Sequence, residues 1–118
     1  MATIKSYTDI EQSKKLAEIL SVDSVDMLWG YYYNGKNHCI PNIRPFRDQR
    51  NEIPKGYIPA WSLAALLGVL KNYTLQTNTD GTVFVVCESK KPMISDAYDN
   101  PIDACVAMIE ELHELKMI

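Results

Sequence analysis

The feature that most constrains this chain is a nearly unbroken apolar run at residues 82–87, Thr-Val-Phe-Val-Val-Cys. A strand with one face in water alternates apolar and polar residues, so the missing alternation predicts a strand covered on both faces. The preceding Asp80-Gly81 pair tolerates positive φ, and residues 73–77 alternate as a partner strand should. We therefore predict a β-hairpin over residues 73–88.

Two predicted helices flank this hairpin and could cover it. Residues 60–70 are apolar on nearly every side, which predicts a mostly buried core helix. The second helix begins at Asn100-Pro101, because asparagine is a good N-cap and proline suits the first helical position. Its apolar residues recur at three- and four-residue spacing, which predicts one packed face. That face comprises Ile102, Cys105, Val106, Ile109 and Leu112, with Lys116 near the far end of the helix.

The first half of the chain repeats this order, beginning with a helix. Thr8 and Glu11 have the Thr-x-x-Glu spacing of a capping box. In such a box the hydroxyl and the carboxylate each accept a backbone N–H that the helix leaves unpaired. The spacing predicts a helix over about residues 9–20.

A second hairpin follows that helix. Residues 26–33 alternate as a strand, and the Asn34-Gly35 turn predicts a return through residues 37–43. Pro41 cannot donate to a strand ladder, so it belongs at a sheet edge or at a strand end.

Together these elements predict an α+β fold in a single domain over residues 1–118. The predicted order is α-β-β-α-β-β-α, with a mostly antiparallel sheet of about four strands covered by helices on both faces. A chain of 118 residues can bury about two-thirds of its unfolded surface, which is enough for a core without disulfides or metals. Residues 45–59, rich in charge and proline, are predicted to form a long surface loop.

The sequence lacks the signals of secretion and of membrane insertion. Residues 1–20 have no apolar stretch of the signal-peptide type, and no segment approaches the ~20 apolar residues of a membrane span. The three cysteines form an odd set, with Cys87 on the predicted buried strand and Cys105 on the packed helix face. Buried thiols in a reducing compartment explain them, so we expect a cytoplasmic protein without a membrane partner.

Histidine, cysteine and acidic residues are the candidates for chemistry. His38 and Cys39 are adjacent, but the chain has no Cys-x-x-Cys or His-x-x-x-His spacing, and core thiols and surface histidines are the favoured interpretation. The acidic residues near the final helix lack the alternation and central glycine of a calcium loop, and helix capping explains them better. We therefore predict no catalytic residue, no metal ligand and no cofactor. The other candidates for catalysis or metal binding are Cys87, Cys105, His113, Asp96, Asp99, Asp103, Glu110, Glu111 and Glu114.

The loop of residues 44–52 holds the only concentration of arginine, together with an aromatic ring. Guanidinium groups beside such a ring can contact phosphates and stack on a base. Asp48 and Glu52 lie among them, however, and the whole chain has a formal net charge of −3. A nucleic-acid binder shows a basic field, so a solvated loop with local ion pairs is favoured.

A run of aromatic residues in the first predicted hairpin suggests a second surface. Alternate residues of a strand point to opposite faces, so either Tyr32 or its odd-numbered neighbours face away from the core. An exposed set would mark a protein contact, because tyrosine and tryptophan are enriched at interface hot spots. Burial beneath a helix is the favoured alternative. The odd-numbered set is Trp29, Tyr31 and Tyr33.

Two stretches, residues 7–17 (YTDIEQSKKLA) and 58–67 (IPAWSLAALL), resemble small uncharacterised proteins encoded by Bacteroides-type gut bacteria and their phages. Residues 60–116 also resemble the phage ABA-sandwich domain in their order of helix, hairpin and helix. The resemblance implies an origin in a phage or mobile element and a sheet between helical layers. It implies no activity, because that family has no established one.

We expect a non-catalytic accessory or protein-interaction module of phage or mobile-element origin, with another protein as its partner. The alternative is a weak nucleic-acid-binding protein that uses the loop of residues 44–52. A small-molecule enzyme using His38 and Cys39 is the least favoured interpretation. The possible interaction surface consists of Tyr31, Tyr32, Tyr33, Arg44, Phe46, Arg47 and Arg50.

Overall fold

Three α-helices and six β-strands occur in the part of the chain that the computed structural model describes, which is residues 5–31, 37–41, 57–70, 72–88 and 92–118. For Tyr31 and residues 37–41 the description covers the backbone alone. The predicted α+β class is confirmed. In chain order the elements are α1 (Ile10–Ile19), a 3₁₀ turn (Val22–Ser24), β1 (Met27–Tyr31), β2 (Asn37–Pro41), β3 (Ile58–Ala60), α2 (Leu63–Val69), β4 (Tyr73–Thr77), β5 (Val83–Cys87), β6 (Met93–Ile94) and α3 (Pro101–Glu114).

The strands form two antiparallel sheets of three strands each, with the orders β2-β1-β3 and β4-β5-β6. Antiparallel pairing is as predicted, but the prediction of one sheet of about four strands is wrong. The difference comes from β3 and β6, which add a third strand to each predicted hairpin. β3 contains Pro59 and β6 spans only two residues, so neither has the alternating run that identifies a strand in sequence.

β5 is the central strand of the second sheet. Val83, Val85 and Cys87 are buried on the face against which α3 packs. Phe84 and Val86, on the opposite face, keep partial exposure. The prediction that helices cover both faces is therefore wrong for the described residues. An apolar run shows that both faces of a strand avoid full exposure, but it does not specify that a helix shields each of them.

The turn between β4 and β5 is the predicted Asp-Gly turn. Gly81 has a φ of 89°, and its N–H donates to the carbonyl of Asn78 at 3.0 Å. Asp80 Oδ1 accepts from the backbone N–H of Thr82 at 2.9 Å and from its hydroxyl at 2.6 Å. A glycine is required here because other residues reach positive φ only with strain.

α1 begins one residue later than the predicted capping box. Asp9 is its N-cap, since Asp9 Oδ1 accepts from the Gln12 N–H at 2.8 Å and Gln12 Oε1 accepts from the Asp9 N–H at 3.1 Å. Thr8 is fully buried instead, and its hydroxyl lies 2.8 Å from that of Ser13. The prediction of a box between Thr8 and Glu11 is wrong because the core engages the Thr8 hydroxyl and the next residue offers the same spacing.

The limits of the other two helices follow their caps. α3 starts as predicted, with Asn100 as N-cap and Pro101 in the first turn, and its predicted apolar face is buried. α2 is shorter than the predicted helix over residues 60–70, because Ser62 Oγ accepts from the Ala65 N–H at 3.2 Å and caps it. Ala60 belongs to β3 instead.

One hydrophobic cluster joins both sheets and the three helices. Trp61, in the link between β3 and α2, is fully buried, and its Nε1 donates to Ser24 Oγ at 2.9 Å. The extent of a single domain over residues 1–118 stays a prediction. Other buried members of the cluster are Leu16 in α1, Leu28 in β1, Leu66 in α2, Val85 in β5 and Ile109 in α3.

Candidate functional site

The residues predicted to form an interaction surface fall outside the described part of the chain, with one partial exception. The exception is Tyr31, whose backbone ends β1. The role of these residues, and of the arginine-rich loop, stays a prediction. The undescribed members are Tyr32, Tyr33, Arg44, Phe46, Arg47 and Arg50.

The described part of β1 shows which of its faces meets the core. Leu28 and Gly30 are buried, whereas Trp29 on the opposite face is half-buried. The Trp29 ring packs edge-on against Tyr7, with 5.6 Å between ring centroids, and its Nε1 donates to the carbonyl of Thr8 at 2.9 Å. Trp29 is thus held by a ring contact and by a hydrogen bond from its indole N–H, as is typical of a structural tryptophan.

The candidate nucleophiles and metal ligands are dispersed. His38 and Cys39 lie in β2, opposite Gly30 and Trp29. Among the described residues, no group of three histidine, cysteine or acidic side chains could hold a metal ion. Burial raises the pKa of the Cys87 thiol and raises that of Cys105 to about 12, so the reactive thiolate is disfavoured.

A polar cleft of about 310 Å³ lies between α1 and α3. Lys5 lines it and donates to three acceptors: Asp9 Oδ2 at 3.0 Å, Gln12 Oε1 at 2.8 Å and Asp103 Oδ1 at 2.8 Å. Asp103 Oδ1 also accepts from Gln12 Nε2 at 2.8 Å, and its Oδ2 accepts from Asn100 Nδ2 at 2.9 Å. All three ammonium hydrogens and both carboxylate oxygens are therefore engaged.

Hydrogen bonds in this cleft keep Lys5 and Asp103 charged although both are partly buried. Burial alone would raise the pKa of Asp103, but hydrogen bonds from Lys5, Gln12 and Asn100 hold it below the ordinary value. Burial alone would lower the pKa of Lys5, but the bonds to Asp103 and Asp9 raise it. A general acid or base needs a pKa moved towards neutrality. These shifts go the other way, which is typical of a structural ion-pair network.

A second polar cluster connects the link before α2 to β1. Asp26 Oδ1 accepts from the Ser62 N–H at 2.8 Å, and Asp26 Oδ2 accepts from the Ser62 hydroxyl. The same hydroxyl caps α2. The Ser62 hydroxyl therefore accepts from the first turn of α2 and donates to Asp26, so the observed contacts are those of a helix cap that Asp26 holds in place.

An apolar pocket of about 260 Å³ opens where the end of the second sheet meets the ends of α2 and α3. Cys87 and Met93 form its sheet side and Leu112 its α3 side. Asn72 and Glu88 supply the polar groups of its rim. The complete lining is Val69, Asn72, Cys87, Glu88, Met93, Leu112, Met117 and Ile118.

The segment that follows α3 builds the outer wall of this pocket. Lys116 has a φ of 59°, its N–H donates to the carbonyl of His113 at 3.0 Å, and the Met117 N–H donates to the carbonyl of Leu112 at 2.8 Å. These two bonds around a left-handed residue constitute a Schellman motif, in which the residues corresponding to Leu112 and Met117 make an apolar contact. Both side chains line the pocket.

Three large apolar side chains follow the end of α3, and we call them the exit patch: Leu115, Met117 and Ile118. Their exposed fractions are 58%, 51% and 45%. Single exposed apolar residues are ordinary, but here three fall within four residues, and two of them, Met117 and Ile118, also line the apolar pocket. A surface of this kind is suited to receive an apolar side chain from another molecule.

Sequence reasoning missed this site. The apolar spacing predicts a final helix that includes both Leu112 and Lys116. The helix instead ends at Glu114, and the pocket can be predicted only if that end is recognised. Lysine at the left-handed position hides that stop, because glycine is the usual marker. The available signal in the sequence is the set of three apolar residues that follows Glu114, which is Leu115, Met117 and Ile118.

Comparison of the chain with protein-family models, with curated proteins and with solved structures gave no match. In the described part of the chain, no helix is both long enough and apolar enough to span a bilayer.

Proposed function

We propose that this protein is a non-catalytic interaction module that binds another protein chain through the apolar pocket and the exit patch. The observation that carries the proposal is the exposure of Leu115, Met117 and Ile118 beside an apolar pocket. Interface centres are enriched in buried apolar anchors and depleted in charge. In this function, an apolar side chain of the partner enters the pocket and the exit patch packs around it.

The lining of the pocket favours a protein partner over a polar small molecule. Small-molecule sites usually hold several convergent polar groups. In this pocket of about 260 Å³ the polar side chains are Asn72 and Glu88, and they lie at the rim. The pocket therefore suits an apolar side chain of a partner.

A non-catalytic role is supported by the ion-pair network of the polar cleft. Lys5, Asp9 and Asp103 are paired with one another, and their pKa values are displaced away from neutrality. The least favoured alternative, an enzyme using His38 and Cys39, stays a prediction, because the side chains of these residues lie outside the described part of the chain.

The resemblance of residues 7–17, 58–67 and 60–116 to phage-related proteins supports the further proposal of an accessory protein of phage or mobile-element origin, acting in the cytoplasm. Nucleic-acid binding through residues 44–52 remains the alternative function, and its test is salt-sensitive oligonucleotide binding that requires Arg44, Arg47 and Arg50.

The proposal is tested with a Leu115→Glu/Ile118→Glu double variant. Tagged wild-type protein and variant are used to capture proteins from the organism that encodes the chain, with quantitative mass spectrometry as the readout. A matched control, Thr79→Glu/Ala97→Glu, adds the same charge at exposed positions near the opposite end of β5.

We expect a partner that is enriched by the wild-type protein and by the control, and depleted at least about tenfold by the exit-patch variant. Thermal unfolding of all three proteins verifies that the fold is retained. Equal capture by the wild-type protein and the exit-patch variant would contradict the proposed surface.

A further inference from the structure

The four edge strands of the two sheets differ in their protection against further pairing. β2 ends at Pro41, β3 contains Pro59, and β6 spans two residues directly after Pro92. Proline and short length are the usual means by which proteins blunt a sheet edge. β4 is five residues long and has neither protection, because its sequence is Tyr-Thr-Leu-Gln-Thr.

The backbone of β4 has a definite outward-facing set of hydrogen-bonding groups. The Glu88 N–H donates to the carbonyl of Asn72 at 2.7 Å, and the Asn78 N–H donates to the carbonyl of Thr82 at 2.8 Å. Antiparallel pairing alternates, so the backbone groups of even-numbered residues of β4 point towards β5 and those of odd-numbered residues point away from it. The outward set belongs to Tyr73, Leu75 and Thr77.

No described strand pairs with this side of β4. Tyr73, at the end of the strand, is 39% exposed although it lies beside buried Cys87. An aromatic side chain of a central strand would gain a neighbour on each side, whereas Tyr73 has one on β5 alone.

We propose that β4 pairs with β4 of a second copy of this chain, antiparallel and about a two-fold axis at Leu75, so that two three-stranded sheets become one of six. This surface is separate from the apolar pocket, and the proposal goes beyond the function proposed above. The axis places Leu75 opposite Leu75 of the second copy and Tyr73 opposite Thr77 on each side. The backbone N–H and C=O groups of all three residues point away from β5, so this register forms roughly six backbone hydrogen bonds between the two copies.

A second copy fits because the outward backbone groups of β4 are symmetric about Leu75 and the strand carries no charge. The same two-fold axis places Thr74 opposite Gln76 on the other face of the sheet, twice. β4 contains no charged residue, so a chain with a formal net charge of −3 brings no like charges together at this edge. The closed two-fold arrangement also consumes the β4 edge of both copies and leaves only the short β6 strands at the ends of the joined sheet.

The strand pair is short, and this sets the strength of the dimer. Interfaces below about 1,200 Å² belong to weak or transient complexes. A contact built on five residues from each copy falls in that class. We therefore expect reversible dimerisation with a dissociation constant of roughly 10–100 µM.

Two double variants test the register by charge. Thr74 and Gln76 face each other across the axis as a pair without mutual backbone hydrogen bonds, where side chains approach most closely. Thr74→Glu/Gln76→Glu places carboxylates opposite each other twice. Thr74→Lys/Gln76→Glu places an ammonium opposite a carboxylate twice and serves as the matched control.

Sedimentation equilibrium is measured from about 1 µM to about 1 mM for the three proteins. We expect the wild-type protein to dimerise, the Glu/Glu variant to dimerise at least about tenfold more weakly, and the Lys/Glu variant to dimerise as well as the wild-type protein or better. Thermal unfolding at low concentration shows that each variant folds. Amide exchange of Leu75 and Thr77 that slows as the wild-type concentration rises locates the contact at β4.

A wild-type protein that remains monomeric over the whole range overturns the proposal. So does equal dimerisation of the two double variants, because the contact would then lie elsewhere. Neither result bears on the exit patch, whose test depends on Leu115 and Ile118.

Discussion

Lys5 Nζ donates a 2.8 Å hydrogen bond to Asp103 Oδ1, although 98 positions separate the two residues in sequence. The contact joins the segment before α1 to the first turn of α3. Both side chains are largely shielded, with exposed fractions of 19% and 31%. An ion pair in such a place stabilises more than one on the open surface, provided that its remaining groups are hydrogen-bonded.

Asp103→Asn is expected to lower the free energy of unfolding at pH 7 by about 1 kcal/mol, because the variant keeps the shape of the side chain and loses its charge. The effect should depend on pH. The pKa of Asp103 is lowered in the folded state, so its stabilisation is fully present above the unfolded pKa of about 3.9 and is lost as the pH falls through the folded pKa.

Urea unfolding of the wild-type protein and Asp103→Asn between about pH 7 and pH 2.5 measures this effect. The difference between the two should shrink below about pH 4. Lys5→Met should cost less in the Asp103→Asn background than in the wild-type protein, because the Lys5–Asp103 ion pair is already lost there and only the bonds to Asp9 and Gln12 remain to be broken. A difference that is constant across the pH range would contradict the ion-pair account.

Val85→Asp should abolish cooperative folding or lower the free energy of unfolding by more than about 4 kcal/mol, because it places a charge at a fully buried position. Phe84→Asp should cost less, since Phe84 lies on the partly shielded face of β5. Gln76→Asp, on the exposed neighbouring strand, is the control and should cost little. Thermal unfolding followed by circular dichroism ranks the stabilities of the three variants. Equal losses of stability for Val85→Asp and Phe84→Asp would contradict the one-sided packing of β5.

Lys116→Gly should raise the free energy of unfolding by about 0.5–1 kcal/mol relative to Lys116→Ala. Both changes remove the same charge, but only glycine adopts a φ of 59° without strain. Chemical denaturation of the two variants provides the comparison. If alanine proves as stable as glycine at this position, the left-handed end of α3 is not part of the native structure.

The thiols of Cys87 and Cys105 should be unreactive in the folded protein. Cys105 has no exposed surface and a pKa raised to about 12, and Cys87 is 7% exposed with a raised pKa. In a Cys39→Ser background at about pH 8, Cys87 should label faster than Cys105, and both should label far more slowly than in denaturant. Native labelling of Cys105 within about tenfold of the unfolded rate would refute this burial.

The parts of the fold that sequence predicted are those with strong local signals. The Asn100-Pro101 start of α3 and the glycine turn at Gly81 depend on backbone chemistry that few other residues can supply, and both were predicted correctly. The third strands of the sheets were missed because Pro59 and the two residues of β6 pair only through tertiary contacts.

The capping error at α1 has the same origin. Thr8 and Asp9 each offer a capping side chain, and the local pattern does not choose between them. The choice is made by Trp61, which is distant in sequence. Its backbone N–H donates to Thr8 Oγ1 at 3.1 Å. The apolar pocket was likewise beyond the local pattern, because its walls come from α2, the second sheet and the residues after α3.

The central claim, that the exit patch binds another protein, is tested most directly by site-specific photocrosslinking in the organism that encodes the chain. A photoreactive amino acid is placed at Leu115, in the exit patch, or at Thr79, which is exposed in the distant β4–β5 turn. We expect light to link position 115 to one defined protein, with no such product from position 79. Absence of a product from position 115, or the same products from both positions, would contradict the claim.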